Sequence, residues 1–221
     1  MGTTSIEVLA PDYNIAPSKL AGIITLNADG VRELDLASWG LIPSWAKDAS
    51  ISRTLTNARS ETAAKKPSFR KAMARTRCIV PVQGYYEWYR PAKQPFYIHA
   101  SDGETLAVAG LYELWRDPTV PDSPPHLTFT ILTREPSPDI AMIHDRMPVL
   151  LPPDVWSEWL DPATTSERIA AMMDPVGPTQ LENGLLDAYP VAVTVNSVRN
   201  NGPSLIESVP ATPPGDTSGL W

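Results

Sequence analysis

The stretch Arg77-Cys78-Ile79-Val80-Pro81-Val82-Gln83-Gly84-Tyr85-Tyr86-Glu87-Trp88-Tyr89 holds two short runs of β-branched and aromatic residues, separated by a glycine. Runs of this kind predict two consecutive strands, over Cys78–Val82 and Gly84–Tyr89. On the N-terminal side, apolar alternation on both sides of Asp29-Gly30 predicts a hairpin with strands at 22–26 and 31–36. Further short strands are expected at 95–99, 106–111, 127–133 and 191–195.

Helical patterns are fewer and shorter than the strand patterns. They are expected at Ser68–Ala74, with Ser68 as N-cap, and at 138–143, 153–160 and 165–173. The 24 prolines are dispersed at element boundaries, as in a chain of many short elements. We therefore expect an α+β fold: a single compact domain over residues 1–209 with a strand-rich core, followed by a disordered tail at 210–221.

The composition of the 221 residues excludes several classes of protein. No run approaches the roughly 18 to 20 apolar residues of a membrane-spanning helix, and no secretory signal is recognisable, so a cytoplasmic protein without membrane contact is expected. The single cysteine, Cys78, excludes an intrachain disulfide and a multi-cysteine metal site. The three histidines share no metal-ligand spacing, and no metal or other cofactor is expected.

Positive charge is concentrated in one part of an acidic chain. Residues 51–100 hold ten lysines and arginines against two acids, a local +8 in a chain of net charge −7. We call these ten residues the basic segment. Such a concentration suits an anionic partner, although a solvated helix face explains it equally well.

Two residues are candidates for acid–base chemistry. Glu87 stands between Tyr86 and Trp88, where partial desolvation would raise the pKa of its carboxyl group. The alternative is a glutamate on an edge strand that faces water. His144 follows a short apolar stretch and precedes Asp145, which fits either an oriented acid–base group or a capping histidine.

Four residues are candidates for contact with an anionic or nucleic-acid ligand. Asn57 and Arg59 precede a predicted helix, where a guanidinium and backbone N–H groups can bind a phosphate, although Asn57 could be only an N-cap. Trp39 and Trp45 could stack on unpaired bases, or they could pack in the core.

Five strings, in one order and at matching spacings, resemble the SRAP family of abasic site processing proteins. They are Trp39-Gly40-Leu41-Ile42-Pro43-Ser44-Trp45, Asn57-Ala58-Arg59-Ser60-Glu61-Thr62, residues 77–88, Ala109-Gly110-Leu111-Tyr112-Glu113, and Ile143-His144-Asp145-Arg146-Met147-Pro148-Val149. The similarity extends to Tyr13-Asn14-Ile15-Ala16-Pro17 and to residues 195–203, so it covers about residues 11–209.

The resemblance implies a strand-rich, barrel-like fold with a groove for single-stranded DNA, in a protein that is monomeric and nucleoid-associated when bound. In the family, an N-terminal cysteine condenses with the aldehyde of an abasic site to a thiazolidine, a covalent DNA–protein cross-link, and the proteins also have autoproteolytic peptidase activity.

By match to the motifs, Glu87 would be the acid–base group that also assists removal of the leading methionine. His144 would promote opening of the sugar, and Asn57 would position the N-terminal residue. Arg59 and Arg146 would contact phosphates, with Trp39 and Trp45 near the DNA.

The chain departs from the family at its start. The family begins Met-Cys-Gly-Arg and runs some two dozen further residues before the Tyr-Asn-Ile-Ala-Pro-like string, whereas this sequence begins Met1-Gly2 and reaches Tyr13 at once. The nucleophile is thus missing from this sequence. A start placed too late is the preferred explanation, ahead of a partial or engineered chain and a natural variant that binds without cross-linking.

Two other functions are considered. A noncatalytic single-stranded DNA-binding protein would rest on the basic segment, the tryptophans and the missing nucleophile. A cysteine hydrolase using Cys78 and His144 has little support, because Cys78 lies in an apolar strand pattern typical of a buried, inert thiol.

Overall fold

The computed structural model describes residues 10–174 and 184–211. Ten strands lie in these ranges: β1 Leu20–Leu26, β2 Arg32–Trp39, β3 Asn57–Arg59, β4 Arg77–Val82, β5 Gly84–Tyr89, β6 Gln94–Ala100, β7 Leu106–Trp115, β8 His126–Arg134, β9 Met147–Pro148 and β10 Leu186–Pro190. The α-helices of the same ranges are α1 Ser60–Ala63, α2 Arg70–Arg75, α3 Trp156–Leu160 and α4 Ser166–Met173. Short 3₁₀ helices occupy Ala49–Thr54, Pro153–Val155, Val193–Asn196 and Pro203–Ile206.

Five of the strands form a closed barrel in the order β2-β1-β4-β7-β8. Parallel pairing of β2 with β8, at Ser38 with Thr128 and Trp39 with Phe129, closes the ring. Beyond this pairing, β3 takes over from β2 along the same edge of β8. Gly40 permits the change of direction, since its φ is +126° and an added Cβ would lie 2.8 Å from the Ser52 carbonyl oxygen.

A second sheet of three strands, β10-β6-β5, packs on the barrel. Side chains on the two faces of β4 and β7 belong to two different hydrophobic clusters. Ile79 and Leu111 pack with the helical layer around the fully buried Trp159, whereas Cys78 and Val108 pack with Ile98 of the second sheet. The predicted strand-rich α+β fold with a barrel-like core is confirmed.

Most of the predicted elements are found near their expected bounds. The hairpin turns at Gly30, which has φ +74°, and α4 occupies the predicted helical stretch, with Thr165 as its N-cap. The strands expected from 78 to 133 and the helical segment at 153–160 are also present.

Three predictions of local structure were wrong. The strand expected at 191–195 lies instead at Leu186–Pro190, because β6 begins at Gln94 and leaves the residues after Val191 without a partner strand. Residues 138–143 form hydrogen-bonded turns, since this proline-initiated stretch buries only Ile140 and is too short to sustain a helix. Ser68 caps nothing: α2 begins at Arg70 with Phe69 at the N-cap.

The chain's ends and one internal segment fall outside the described residues. The tail predicted to be disordered is described only at 210–211, and 212–221 lie outside those residues. In the described part of the chain, no helix is long and apolar enough to cross a membrane. The same residues contain no cluster of three or more His, Cys, Asp or Glu side chains placed to hold a metal ion.

Candidate active site and nucleic-acid interface

Glu87 and His144 meet at the edge of the second sheet. Strand β5 is the edge strand of that sheet, and Glu87 lies opposite Phe96 on β6. Glu87 Oε1 lies 3.6 Å from His144 Nδ1, and the two side chains are 23% and 21% exposed. Burial raises the pKa of the Glu87 carboxyl group, and the nearby His144 opposes that shift. The alternative of a water-facing Glu87 is therefore wrong, although its strand is an edge strand.

The backbone after His144 orients the imidazole ring. The N–H of Arg146 donates to His144 Nδ1 at 3.1 Å, and the Arg146 carbonyl oxygen lies equally close. The 3.6 Å separation from Glu87 is longer than a hydrogen bond. The carboxylate and the imidazole thus lie side by side without a direct hydrogen bond, so both can reach the same reacting group, as an acid–base pair requires.

Two charged residues that the sequence did not single out face the other side of the imidazole. Asp145 Oδ1 lies 3.5 Å from His144 Nε2, and Arg90 Nη2 lies 3.4 Å from the same nitrogen. Arg90 and Asp145 also pair with each other at 3.2 Å, with about seven-tenths of each side chain exposed. An exposed pair of this kind adds little stability, but it places two opposite charges beside the imidazole ring.

Arg146 is clamped between two segments. Its Nη1 and Nη2 donate to the two carboxylate oxygens of Glu61 at 2.7 and 2.9 Å, and Nη2 also donates to the Thr133 carbonyl oxygen at 2.6 Å. This arginine lowers the pKa of the Glu61 carboxyl group. The contact brings α1 to the His144–Arg146 segment, so two of the motifs found in the sequence meet here.

Asn57 and Arg59 reach the same region on β3. They pair with Ile131 and Thr133 of β8 and share an exposed face of the strand. Arg59 is the N-cap of α1, so the alternative that Asn57 is only an N-cap is wrong. Thr133 is therefore flanked by Arg59 through strand pairing and by Arg146 through its carbonyl oxygen.

The two candidate tryptophans differ in their surroundings. Trp39 is half-buried: its indole stacks on Phe129 at 6.4 Å, and Nε1 donates to the Thr56 carbonyl oxygen, next to Asn57. One edge of the indole lines a groove of about 520 Å³ together with the exposed Arg53. Trp39 therefore packs in the fold and also lines a groove, so the two alternatives considered for it do not exclude each other.

Trp45 is 58% exposed and lies elsewhere. Its loop is fixed by the Ile42 N–H donating to Thr128 Oγ1 and by Lys71 Nζ donating to Ser44 Oγ at 2.9 Å. Thr128 is separated from Thr133 by about 17 Å of extended strand. No contact within the described residues joins Trp45 to the Glu87–His144 pair.

The basic segment is a surface feature with one exception. Nine of its ten cations are exposed, while Arg77 is buried and donates to the carbonyl oxygens of Met73, Trp159 and Asp161. Arg77 therefore holds α2 and α3 to the barrel and is not part of an anion-binding surface. Two of the exposed cations, Arg90 and Lys93, line a second groove of about 510 Å³ with Trp88 and Asn196.

Cys78 is fully buried in β4, and burial raises the pKa of its thiol. Gly110 on β7 leaves just enough room, since an added Cβ would lie 2.8 Å from Cys78 Sγ. A thiol that is neutral and inaccessible cannot act as a nucleophile. The predicted inert state of Cys78 fits this environment, and the hydrolase hypothesis loses its nucleophile.

Comparison with known proteins identifies the family. A family model described as SOS response associated peptidase (SRAP) matches residues 2–198. Abasic site processing protein YoqW of Bacillus subtilis is 42% identical over 203 residues, covering 90% of this chain and 86% of that protein. Abasic site processing protein HMCES of Gallus gallus is 31% identical over 228 residues, covering 89% of this chain and 66% of that protein.

A solved structure agrees with these similarities. The crystal structure of a protein from Bacteroides thetaiotaomicron matches with a TM-score of 0.74 and 30% sequence identity, covering 87% of this chain and 82% of that one. The likeness therefore spans both the barrel and the motifs that meet at its edge. The chain belongs to the SOS response associated peptidase (SRAP) family.

Proposed function

We propose that this protein, in a form that begins with an N-terminal cysteine, processes abasic sites in single-stranded DNA by forming a covalent cross-link with the opened sugar. The observation that carries the proposal is the partly buried Glu87–His144 pair, whose carboxylate oxygen and ring nitrogen lie 3.6 Å apart. Arg146, which follows His144 by two residues, and Arg59 on β3 both contact or pair with Thr133. Acid–base groups beside cations suit an aldehyde carried on a phosphodiester backbone.

The proposed chemistry follows the resemblance and needs two proton carriers. His144 donates a proton to the ring oxygen as the bond between that oxygen and C1′ breaks, and the C1′ hydroxyl loses its proton to water as it becomes the aldehyde. The α-amine of an N-terminal cysteine adds to that aldehyde, Glu87 moves the protons, and water leaves as the imine forms. The thiol then adds to the imine carbon and closes the thiazolidine, with its proton passing to the nitrogen.

The remaining site residues have supporting roles in the proposal. The exposed Asn57 positions the N-terminal residue, and Arg59 and Arg146 contact phosphates. Glu87 also assists removal of the leading methionine, the peptidase activity that the resemblance implies. No metal or other cofactor is needed for any of these steps.

Single-stranded DNA binding is supported by a different set of residues. The exposed Trp45 offers a stacking surface beside Lys71, and further exposed cations of the basic segment lie on α2 and in the turn between α1 and α2. Stacking of a base on an aromatic side chain contributes about 1 to 3 kcal/mol. This surface would serve equally in a noncatalytic DNA-binding protein, the second candidate function.

A denaturing gel with intact-mass analysis separates the two candidates. The chain, extended upstream to a Met-Cys start, is mixed with a single-stranded oligonucleotide bearing one abasic site. A covalent adduct that loses one water is expected, and Glu87→Gln and His144→Ala should each slow its formation by about 100-fold or more. Glu158→Gln and His126→Ala are matched controls, since both replaced residues lie outside the site, and both should react normally. Binding without an adduct would leave the noncatalytic function.

The stacking surface has its own test. Trp45→Ala should weaken binding of a single-stranded oligonucleotide by roughly 5- to 150-fold, which corresponds to the stacking energy. Leu36→Ala, which shortens another exposed apolar side chain, is the control. Unchanged affinity of Trp45→Ala in fluorescence anisotropy would remove Trp45 from the interface.

A further inference from the structure

The guanidinium of Arg146 is already bound to an acid in the DNA-free protein. Glu61 offers two oxygens side by side, and Arg146 meets them end-on through Nη1 at 2.7 Å and Nη2 at 2.9 Å. A phosphodiester presents two nonbridging oxygens to an arginine in the same bidentate manner. The two anions therefore compete for the same donors.

A second arginine makes this position more attractive to an anion. The positive charge of Arg59 contributes to the lowered pKa of the Glu61 carboxyl group, which places Arg59 near it. Arg59 itself makes no hydrogen bond or ion pair through its side chain within residues 10–174 and 184–211. Glu61 thus lies close to two guanidinium groups but accepts hydrogen bonds only from that of Arg146.

The two partners differ in their freedom to move. The Arg146 side chain is 20% exposed and stays tied to the Thr133 carbonyl oxygen, whereas the Glu61 side chain is 49% exposed. Glu61 can turn toward water while Arg146 remains in place. An incoming phosphate can then take the vacated donors and be shared with Arg59.

We propose that Glu61 is a specificity-determining residue which occupies the phosphate position on Arg146 and must be displaced by a DNA strand. This inference rests on the proposed function, because the competing ligand is a phosphodiester of single-stranded DNA. Displacement costs part of the binding energy, so a strand that places no phosphate between Arg59 and Arg146 binds poorly. Glu61 thereby weakens unspecific binding to a basic surface.

The test is fluorescence anisotropy with a 12-nucleotide single strand carrying a nonreactive tetrahydrofuran abasic analogue. Glu61→Gln should bind this probe about 3- to 10-fold more tightly than the unsubstituted chain at roughly 0.1 M salt. Glu158→Gln is the matched control, since it removes the same charge from another half-exposed Glu–Arg pair, with Arg168. It should change the affinity by less than about 1.5-fold. Glu61→Ala is the second variant, and both melting temperatures are measured to verify folding.

A double-mutant cycle locates the effect at Arg146. In an Arg146→Gln background, Glu61→Gln should give no more gain than Glu158→Gln does. A merely structural Glu61–Arg146 pair would instead give weaker binding on substitution of Glu61. Equal or weaker binding by the Glu61 variants overturns the inference while the proposed function stands. If neither the unsubstituted chain nor any variant binds the probe even at low salt, both the inference and the proposed function are overturned.

Discussion

Glu61 and Glu87 each contact the His144–Arg146 segment, Glu61 through Arg146 and Glu87 through His144. The environments of the two carboxyl groups differ. Glu61 is half-exposed and is paired with Arg146, which lowers the pKa of its carboxyl group. Glu87 is 23% exposed beside His144, and burial raises the pKa of its carboxyl group. The first remains an anion and binds a cation, whereas the second holds its proton to a higher pH than an ordinary glutamate does. The comparison shows how the surroundings shift the pKa values of two glutamates in opposite directions.

The largest expected difference between the two acids is in the cross-linking rate. In the Met-Cys form of the chain, Glu87→Gln should slow adduct formation by about 100-fold or more, because the amide cannot transfer protons. Glu61→Gln should change the rate at saturating DNA by less than about 3-fold, since Glu61 does not contact the reacting atoms in the proposal. Single-turnover gels measure both rates, and equal losses for the two variants would contradict the division of roles.

A smaller effect is expected on stability when the Glu61 carboxylate, the partner of Arg146, is removed. Because the folded-state pKa of Glu61 is lowered, its stabilising contribution is present above the ordinary glutamate pKa and is lost as pH falls through the folded value. Glu61→Gln should therefore lower the melting temperature at pH 7 by about 2 to 4 °C, the scale of roughly 1 kcal/mol. The difference from the unsubstituted chain should disappear in acid. Thermal melts followed by circular dichroism at pH 3 and pH 7 provide the measurement.

Substitution of Glu87 should change the melting temperature at pH 7 in the opposite direction. Its folded-state pKa is raised, so the protonated carboxyl stabilises the fold below the ordinary glutamate pKa, and that contribution is lost as pH rises through the folded value. Glu87→Gln should raise the melting temperature at pH 7 by up to a few degrees, with no gain at pH 3. A lower melting temperature at pH 7 would show that the ionised Glu87 is stabilised by contacts stronger than its burial.

The smallest effect is expected from the exposed pair beside His144. The charge of Arg90 lowers the pKa of Glu87 and that of Asp145 raises it, and both charges are screened by solvent. Arg90→Gln should shift the acidic limb of the pH–rate profile for cross-linking slightly upward, and Asp145→Asn should shift it slightly downward. Shifts of the same sign in the two variants would mean that a change in His144 orientation, and not charge, is responsible.

Much of the fold could be predicted because strands and turns depend on local pattern. Alternating apolar residues and the Asp29-Gly30 turn were sufficient for the β1–β2 hairpin. Closure of the barrel was not predictable from local pattern, since β2 and β8 are distant in sequence and pair over only two residues each. The strand at Leu186–Pro190 was misplaced because its bounds depend on where its partner begins.

Some residues of the candidate site could be selected from the sequence, but their contacts could not. Glu87 and His144 could be selected from residue type and context, whereas the Glu61–Arg146 ion pair joins residues 85 positions apart. Arg77 was counted with the basic surface although it is buried, and its position at the start of the apolar β4 run was the available signal. The pairing of charged side chains depends on the barrel, because β8 brings β3 and the His144–Arg146 segment together.

A carbon-13 NMR titration of the glutamate side-chain carboxyl groups tests the contrast between the two acids most directly. The Glu61 and Glu87 signals are assigned by their loss in Glu61→Gln and Glu87→Gln. We expect the Glu61 carboxyl group to titrate below the ordinary glutamate range and the Glu87 carboxyl group to titrate above it. Titration of both within the ordinary range, or in the reverse order, would contradict the proposed roles of Glu61 as the anion paired with Arg146 and of Glu87 as the proton carrier.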